Sequence, residues 1–121
     1  MLDHVSLKVA DYARAQAFYD ATLQPLGFSR QMGDGAHYAG YGVPNRPFFW
    51  IGEGAGGASA HVAFSADDQA AVKAFHQAAL AAGGKDNGGP GLRPEYHPSY
   101  YAAFVFDPDG NNIEAVCHTG G

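Results

Sequence analysis

Three residues of this 121-residue chain, His4, His61 and Glu114, are of types that bind divalent metal ions. His4 and His61 each open an apolar strand pattern, and Glu114 lies within a third. Two neutral imidazoles and one carboxylate leave coordination positions open for water or for two oxygens of a substrate, as Lewis-acid or oxygen-activating chemistry requires. Such chemistry needs all three side chains on one side of one structure.

The two histidines occupy equivalent positions in an internal repeat. Residues 4–27 align without a gap with residues 61–84, at an offset of 57 (61 − 4). Identical pairs include Asp11 and Asp68, Phe18 and Phe75, and Gly27 and Gly84. These pairs span a helix start and a helix end, so the repeat is a duplicated structural unit. Each half alone is too small to bury a stable core, which predicts one domain over 1–121.

Composition and charge narrow the class of protein. Hydrophobic residues make up 46% and charged residues 16%, as in a folded domain. A net charge of −5 leaves no basic surface for nucleic acid. No apolar run approaches the roughly 20 residues of a membrane helix, the amino terminus does not resemble a secretion signal, and Cys117 has no partner for an intrachain disulfide. We therefore expect a cytoplasmic protein that associates with neither nucleic acid nor membrane.

Apolar periodicity and turn signals predict the elements of two modules, at about 1–53 and 59–118. Module 1 is expected to hold a strand over 2–9, a helix capped by Asp11 and closed by Gly27, and strands near 28–32, 37–42 and 47–51. Module 2 is expected to hold a strand over 61–65, a helix from the Asp68 cap to about Ala82, a short strand near 91–96, and strands over 101–106 and 111–117. A Gly-rich linker, 53–59, joins them. The stripes predicted to cover the sheet are Ala15, Phe18, Tyr19, Thr22 and Leu26 on the first helix and Val72, Phe75, Ala79 and Leu80 on the second.

Alternation along the strands predicts which side chains share a face. In the last strand Ile113 and Glu114 must point to opposite faces, and the apolar Ile113 face suits the helices. His4 and His61 fall on the face opposite their own apolar neighbours. We therefore expect His4, His61 and Glu114 on the uncovered, concave side of one curved sheet.

The element order, β-α-β-β-β twice, resembles the vicinal oxygen chelate superfamily, which includes glyoxalase I, fosfomycin resistance enzymes, extradiol dioxygenases and bleomycin resistance proteins. The resemblance is carried by LDHVSLKV around His4, the helix DYARAQAFYDATLQPLGF, the second HV strand at His61, and FDPDGNNIEAV with Glu114. It implies an α+β fold of two βαβββ modules that form a cup-shaped, partly closed mixed sheet with helices on the outside. It further implies a homodimer and a divalent metal with His4, His61 and Glu114 as its ligands. Histidine and carboxylate ligands suit iron, manganese, nickel and zinc, so the metal is left open.

One strand departs from the pattern of the glyoxalase I members. Those enzymes carry a fourth ligand, glutamate or histidine, in the first-half strand that corresponds to the Glu114 strand. Here that strand is RPFFWIG, which offers no ligand, and Glu53 lies just past its end. The departure counts against the ordinary glyoxalase I reaction, in which a pair of carboxylates around the metal moves the proton.

Aromatic and basic residues supply the remaining candidates for the site. Glu114, Tyr101 and His97 are the candidate catalytic residues, and Trp50, Arg93 and His37 the candidate substrate contacts, with Arg93 suited to a carboxylate. The leading hypothesis is a metal-dependent enzyme on a small molecule with vicinal oxygens, either a lyase or isomerase like lactoylglutathione lyase or a dioxygenase. The alternative is a bleomycin-resistance-like protein that binds a small molecule without catalysis.

Overall fold

The computed structural model describes residues 2–56 and 60–118, and the end of the predicted linker, 57–59, lies outside them. Module 1 contains β1 (Val5–Val9), α1 (Tyr12–Leu23) followed by a 3-10 turn (Gln24–Leu26), β2 (Ser29–Gly33), β3 (Tyr38–Val43) and β4 (Arg46–Glu53). Module 2 contains β5 (His61–Ser65), α2 (Gln69–Ala81), β6 (Lys85–Asp86), β7 (Gly91–Leu92), β8 (Tyr101–Phe106) and β9 (Asn112–Cys117). The predicted α+β fold with two β-α-β-β-β modules is confirmed, with the second strand position of module 2 split into β6 and β7.

The strands form two mixed sheets, and these do not close into a barrel. The first has the order β1-β4-β3-β2, and the second the order β5-β9-β8-β6 with β7 also on β8. In each sheet the opening strand runs parallel to the last strand of its own module. The sequence predicted one curved sheet, whereas in the described residues β1 and β5 are the outer strands of two different sheets.

Local signals place the helices as predicted. The carboxylate of Asp11 accepts from the amide of Arg14 and that of Asp68 from the amide of Ala71, so an N-cap starts each helix. The predicted stripe on α2 fails at Leu80, which is 40% exposed, because it lies about 100° around the helix from the buried Ala79. Within the described residues, neither helix is long and apolar enough to cross a membrane.

Both modules contribute to one hydrophobic core. Phe49 of β4 meets Phe64 of β5 edge to face at 5.1 Å between ring centroids, and Tyr19 of α1 lies 5.0 Å from Phe49. All three side chains are buried, in a cluster that also includes Phe75 of α2 and Ile113 of β9. Since each sheet turns one face into this common core, the other face of each sheet remains uncovered by the helices.

A buried polar contact also joins the modules. Asp107, 4% exposed, follows β8, and its Oδ1 accepts from the amides of Asp109 and Asn111 at 2.9 and 2.8 Å. Its Oδ2 accepts from the Tyr19 hydroxyl at 2.5 Å. Burial, followed by the neighbouring Asp107 charge, raises the pKa of Tyr19 well above its ordinary value. The phenol therefore stays protonated and ties α1 of module 1 to the β8–β9 turn of module 2.

Removal of the Tyr19 hydroxyl should destabilise the fold. Tyr19→Phe leaves the ring in place but takes one donor from the buried Asp107 carboxylate, and we expect a loss of about 1.5–3 kcal/mol in the free energy of unfolding. Urea denaturation followed by circular dichroism measures it. Tyr12→Phe is the matched control, because the Tyr12 hydroxyl is buried without a hydrogen-bond partner among the described residues. Equal losses in the two variants would contradict the assignment.

The β2–β3 turn is organised by Asp34. Its Oδ1 accepts from the amides of Ala36, His37 and Tyr38 at 2.9, 2.7 and 3.2 Å, and its Oδ2 accepts from His37 Nδ1 at 2.8 Å. The amide hydrogen bonds, first those of Ala36 and His37, hold the pKa of Asp34 well below its usual range. The hydrogen bond to Asp34 in turn raises the pKa of His37.

Asp34→Asn should lower the pKa of His37 toward the ordinary value for histidine, since the asparagine cannot stabilise the imidazolium by charge. The charged pair stabilises the turn fully below that ordinary pKa, and the contribution is lost as pH rises through the raised folded-state pKa. NMR titration of the His37 ring measures the shift. Asp11→Asn, the same change in the carboxylate that caps α1, serves as control. An unchanged His37 titration in Asp34→Asn would refute the pairing.

Candidate functional site

The parallel pairing of β5 with β9 brings His61 and Glu114 together. Ala63 lies opposite Glu114 in the ladder and His61 opposite Asn112, so alternation puts His61 and Glu114 on the same uncovered face. His61 Nε2 donates to Glu114 Oε1 at 2.8 Å. The His61 side chain is 53% exposed whereas Glu114 is 1% exposed. The pair thus joins a buried carboxylate to an imidazole that reaches solvent.

Tyr100 completes the surroundings of the Glu114 carboxylate. Its hydroxyl donates a short hydrogen bond to Oε2, the oxygen that His61 does not contact. Burial, followed by the hydrogen bond to Glu114, raises the pKa of Tyr100 to about 12. The phenol is therefore a proton donor to the carboxylate throughout the neutral range.

The sequence predicted the neighbouring Tyr101 as a catalytic residue, but the Tyr101 side chain lies in the core. Tyr101 lies opposite Cys117, on the face of β8 that the helices cover. Phe104 lies opposite Glu114, so counting back in twos from Phe104 reaches position 100 and not 101. Alternation along β8 was the signal that could have identified Tyr100.

Arg93 lies on the same face but already has acceptors. Its guanidinium lies 5.4 Å from the centroid of the Phe104 ring and donates to the carbonyls of Gly89 and Gly91 at 2.7 and 2.9 Å. The Phe104 ring is in turn 6.3 Å from the His61 ring. The guanidinium thus packs residues 89–93, which include β7, onto Phe104 of β8. Its predicted contact with a substrate carboxylate stays a prediction.

His97 lies in the group of aromatic rings around Tyr100, the residue that contacts the Glu114 carboxylate. Its Nδ1 accepts from the Ser99 amide at 3.1 Å, so in the neutral ring Nε2 carries the proton. The His118 ring lies 6.1 Å from His97 and 5.3 Å from Tyr100. His97 therefore belongs to the aromatic cluster that packs around Tyr100, with no direct contact to Glu114.

His4 lies apart from the other two predicted ligands. It precedes β1, its Nδ1 donates to Asp3 at 2.8 Å, and its side chain is 56% exposed. Across 2–56 and 60–118, no three His, Cys, Asp or Glu side chains lie close enough to bind one metal ion. We expected His4, His61 and Glu114 on one face of one curved sheet. In the described residues this expectation is not met, because β1 and β5 are outer strands of separate sheets.

His4 and His61 do line one open cleft of about 600 Å³ between the two modules. The cleft is also lined by Arg46 and by four phenylalanines, Phe28, Phe48, Phe49 and Phe64. The volume lies in the range of small-molecule sites.

Trp50 occupies the position in module 1 that Glu114 occupies in module 2. Trp50 lies opposite Ser6 in the β1–β4 ladder, as Glu114 lies opposite Ala63, and Ser6 and Ala63 are equivalent in the repeat. The Trp50 ring lies against Gly40, where an added Cβ would be 2.7 Å from the ring. Tyr38 stacks beside it at 6.5 Å and 27°. Trp50 and Tyr38 thus form an aromatic platform on the uncovered face of the first sheet, next to the turn that carries His37.

The donor set of His61 and Glu114 fits a divalent metal ion in part. Nitrogen and carboxylate ligands suit iron, manganese, nickel and zinc. The two donor atoms are 2.8 Å apart, close enough to contact one ion at about 2.0–2.2 Å each. The described chain therefore supplies two adjacent ligands, of which one is open to solvent.

Comparison with known proteins agrees with this fold. Over residues 1–115 the chain matches the family described as the Glyoxalase/Bleomycin resistance protein/Dioxygenase superfamily. A glyoxalase/bleomycin resistance protein from Albidiferax ferrireducens T118 shares 32% sequence identity with it, with a TM-score of 0.82 over 96% of this chain and 98% of that one. A comparison with curated proteins gave no match.

More distant structures share the fold. A glyoxalase/bleomycin resistance protein/dioxygenase family enzyme from Burkholderia phytofirmans PsJN is 19% identical, with a TM-score of 0.69 over 94% of this chain and 95% of that one. A glyoxalase I mutant from Zea mays is 25% identical, with a TM-score of 0.67 over 97% of this chain and 46% of that one. Because the family match covers residues 1–115 of the 121 in this chain, the chain belongs to the glyoxalase/bleomycin resistance protein/dioxygenase (vicinal oxygen chelate) superfamily.

Proposed function

We propose that this protein binds a small molecule through two neighbouring oxygens on a divalent metal ion held by His4, His61 and Glu114, and that it is an enzyme of the glyoxalase or dioxygenase type. The contact between His61 and Glu114 carries the proposal. It places an imidazole and a buried carboxylate 2.8 Å apart on the uncovered face of a sheet. The single cysteine, Cys117, is buried and free, which fits a reducing, cytoplasmic setting.

His4 of a second copy supplies the third ligand in this proposal. The strand that follows His4 and the strand that begins with His61 are each the outermost strand of their sheet in the described residues. An outer strand presents unpaired backbone groups to another chain. A homodimer with β1 of one copy beside β5 of the other brings an exposed His4 toward the exposed His61. Twofold symmetry makes two such sites at once.

The same arrangement gives the substrate a polar wall and an aromatic wall. The uncovered face of the second sheet carries His61, Glu114 and Tyr100, and that of the first sheet carries the Trp50–Tyr38 platform. A planar or apolar part of the substrate stacks on the platform while its oxygens reach the polar wall.

The bound ion would supply Lewis-acid polarisation of the substrate oxygens. The chain's own contribution is to hold and move protons nearby. His97 offers Nε2–H from the edge of the cluster, and His37, beside the platform, contacts the far end of the substrate. Tyr101 has no part in this proposal, because its side chain lies in the core. Trp50 at the repeat counterpart of Glu114 argues against a reaction that needs a second carboxylate at that position.

A second candidate function is binding of a small molecule without catalysis. The Trp50–Tyr38 stack favours it, since a flat aromatic platform binds a planar ligand without any metal. Ligand binding that survives chelator treatment and produces no turnover would select this function over the enzyme.

Loss of either ligand from the His61–Glu114 pair should abolish tight metal binding. We expect the affinity of purified protein for Zn²⁺, Mn²⁺, Ni²⁺ or Fe²⁺ to fall more than about 100-fold in His61→Ala and Glu114→Gln, because loss of outer-shell contacts alone costs up to about 100-fold. Metal content after gel filtration and competition with a chelator measure it. His76→Ala is the control, because His76 lies on α2 and pairs with Asp86 of β6. Equal metal content in all four proteins would refute the metal site.

Subunit mixing tests whether His4 comes from the second copy. His4→Ala and His61→Ala each lack one ligand, but a mixed dimer holds one intact site and one site that lacks both. After random exchange of subunits, metal binding should recover in about a quarter of the sites. Unmixed variants carried through the same exchange protocol are the control. No recovery, with mixed dimers confirmed by mass spectrometry, would place both histidines of a site in one chain.

A further inference from the structure

The Glu114 carboxylate is held at both oxygens by side chains from two different directions. Glu114 is 1% exposed, so almost no water reaches it. His61 donates to Oε1 from β5, and Tyr100 donates to Oε2 from the residue just before β8. Both contacts are partly buried, and the His61 side chain beside Oε1 is 53% exposed.

Tyr100 is fixed by its own loop and does not depend on Glu114 for its position. The amide of Arg93 donates to the carbonyl of Tyr100 at 2.7 Å, and the amide of Tyr100 donates to the carbonyl of His97 at 3.1 Å. The Tyr100 ring is also packed edge to face by Tyr96 at 5.1 Å and by His118 at 5.3 Å. The phenol oxygen is thereby presented at one place, with the loop anchored by Arg93 on the Phe104 ring.

We propose that Tyr100 is a positioning residue that makes Glu114 a one-oxygen ligand: its hydroxyl occupies Oε2 and leaves only Oε1 for a cation beside His61. The inference rests on the proposed metal site. A carboxylate free at both oxygens can rotate or bind a cation through both, which fills a coordination position that two substrate oxygens would need. Tyr100 prevents this by fixing the plane of the carboxylate and keeps that position open.

Tyr100→Phe tests the inference, with Tyr101→Phe as the matched control. The two tyrosines are adjacent, but the hydroxyl of Tyr101 is on the core face and makes no contact with Glu114. We expect Tyr100→Phe to lower the affinity for Zn²⁺ and Co²⁺ about 10–100-fold, the usual range for loss of a residue that orients a ligand. The visible absorption of the Co²⁺ protein should weaken, since binding through both oxygens raises the coordination number. Tyr101→Phe should leave affinity and spectrum unchanged.

A measurement on the metal-free protein separates positioning from a purely structural role. Tyr100→Phe leaves the buried Oε2 of Glu114 without its donor, so the midpoint of urea unfolding should fall. In a Glu114→Met background this oxygen is absent, and Tyr100→Phe should leave the midpoint unchanged. A midpoint shift in the Glu114 protein together with unchanged metal affinity and Co²⁺ spectrum would make Tyr100 structural and overturn the inference. Failure of the wild type to bind any ion through His61 would instead refute the proposed function, and the inference with it.

Discussion

The shared hydrophobic core constrains everything else in this molecule. Both sheets turn one face inward, where Phe49 and Phe64 meet at 5.1 Å. The contact between Tyr19 and Asp107 fixes the same junction with a buried polar bond. Once these inward faces are committed to the core, the chemistry of the chain is confined to the two faces that the helices do not cover.

Burial of the Glu114 carboxylate on the uncovered face of the second sheet costs free energy. A carboxylate as buried as Glu114 loses most of its hydration, which is expensive unless every oxygen finds a donor. His61 and Tyr100 supply those donors. Even a well-paired buried charge is seldom more stable than an apolar residue of the same size. Glu114 is therefore hard to explain by stability and easy to explain by a role that needs a fixed negative charge, as cation binding does.

Much of this fold was predictable from local and repeating patterns. The Asp11 and Asp68 caps, the apolar periodicity and the repeat predicted the order of the elements and most of their boundaries within a few residues. Alternation predicted that His61 and Glu114 share a face, and the direct pairing of β5 with β9 brings the two side chains together. These are properties of neighbours in sequence or of adjacent strands, which short-range geometry determines.

What the sequence did not predict depends on the packing between modules and on the exact start of a strand. The position of His4 relative to His61 is set by how two sheets meet around phenylalanines, and alternation within each strand carries no information about that. The choice between Tyr100 and Tyr101 depends on a single residue of register, and a shift of one residue exchanges the core face for the uncovered face. Apolar alternation in β8 is weak there because Tyr101, Ala102 and Ala103 are all buried.

Divergence of the two halves of the repeat explains how one fold can carry two different walls of a site. At equivalent positions the second sheet has Glu114 opposite Phe104, and the first has Trp50 opposite Gly40. Glycine at 40 lets the indole lie flat on the strand, whereas the ring of Phe104 supports His61 and Arg93 around the carboxylate. Two identical aromatic faces could not hold an ion. A polar face and an aromatic face are complementary, so a twofold pair of these chains would set one of each kind on either side of both sites.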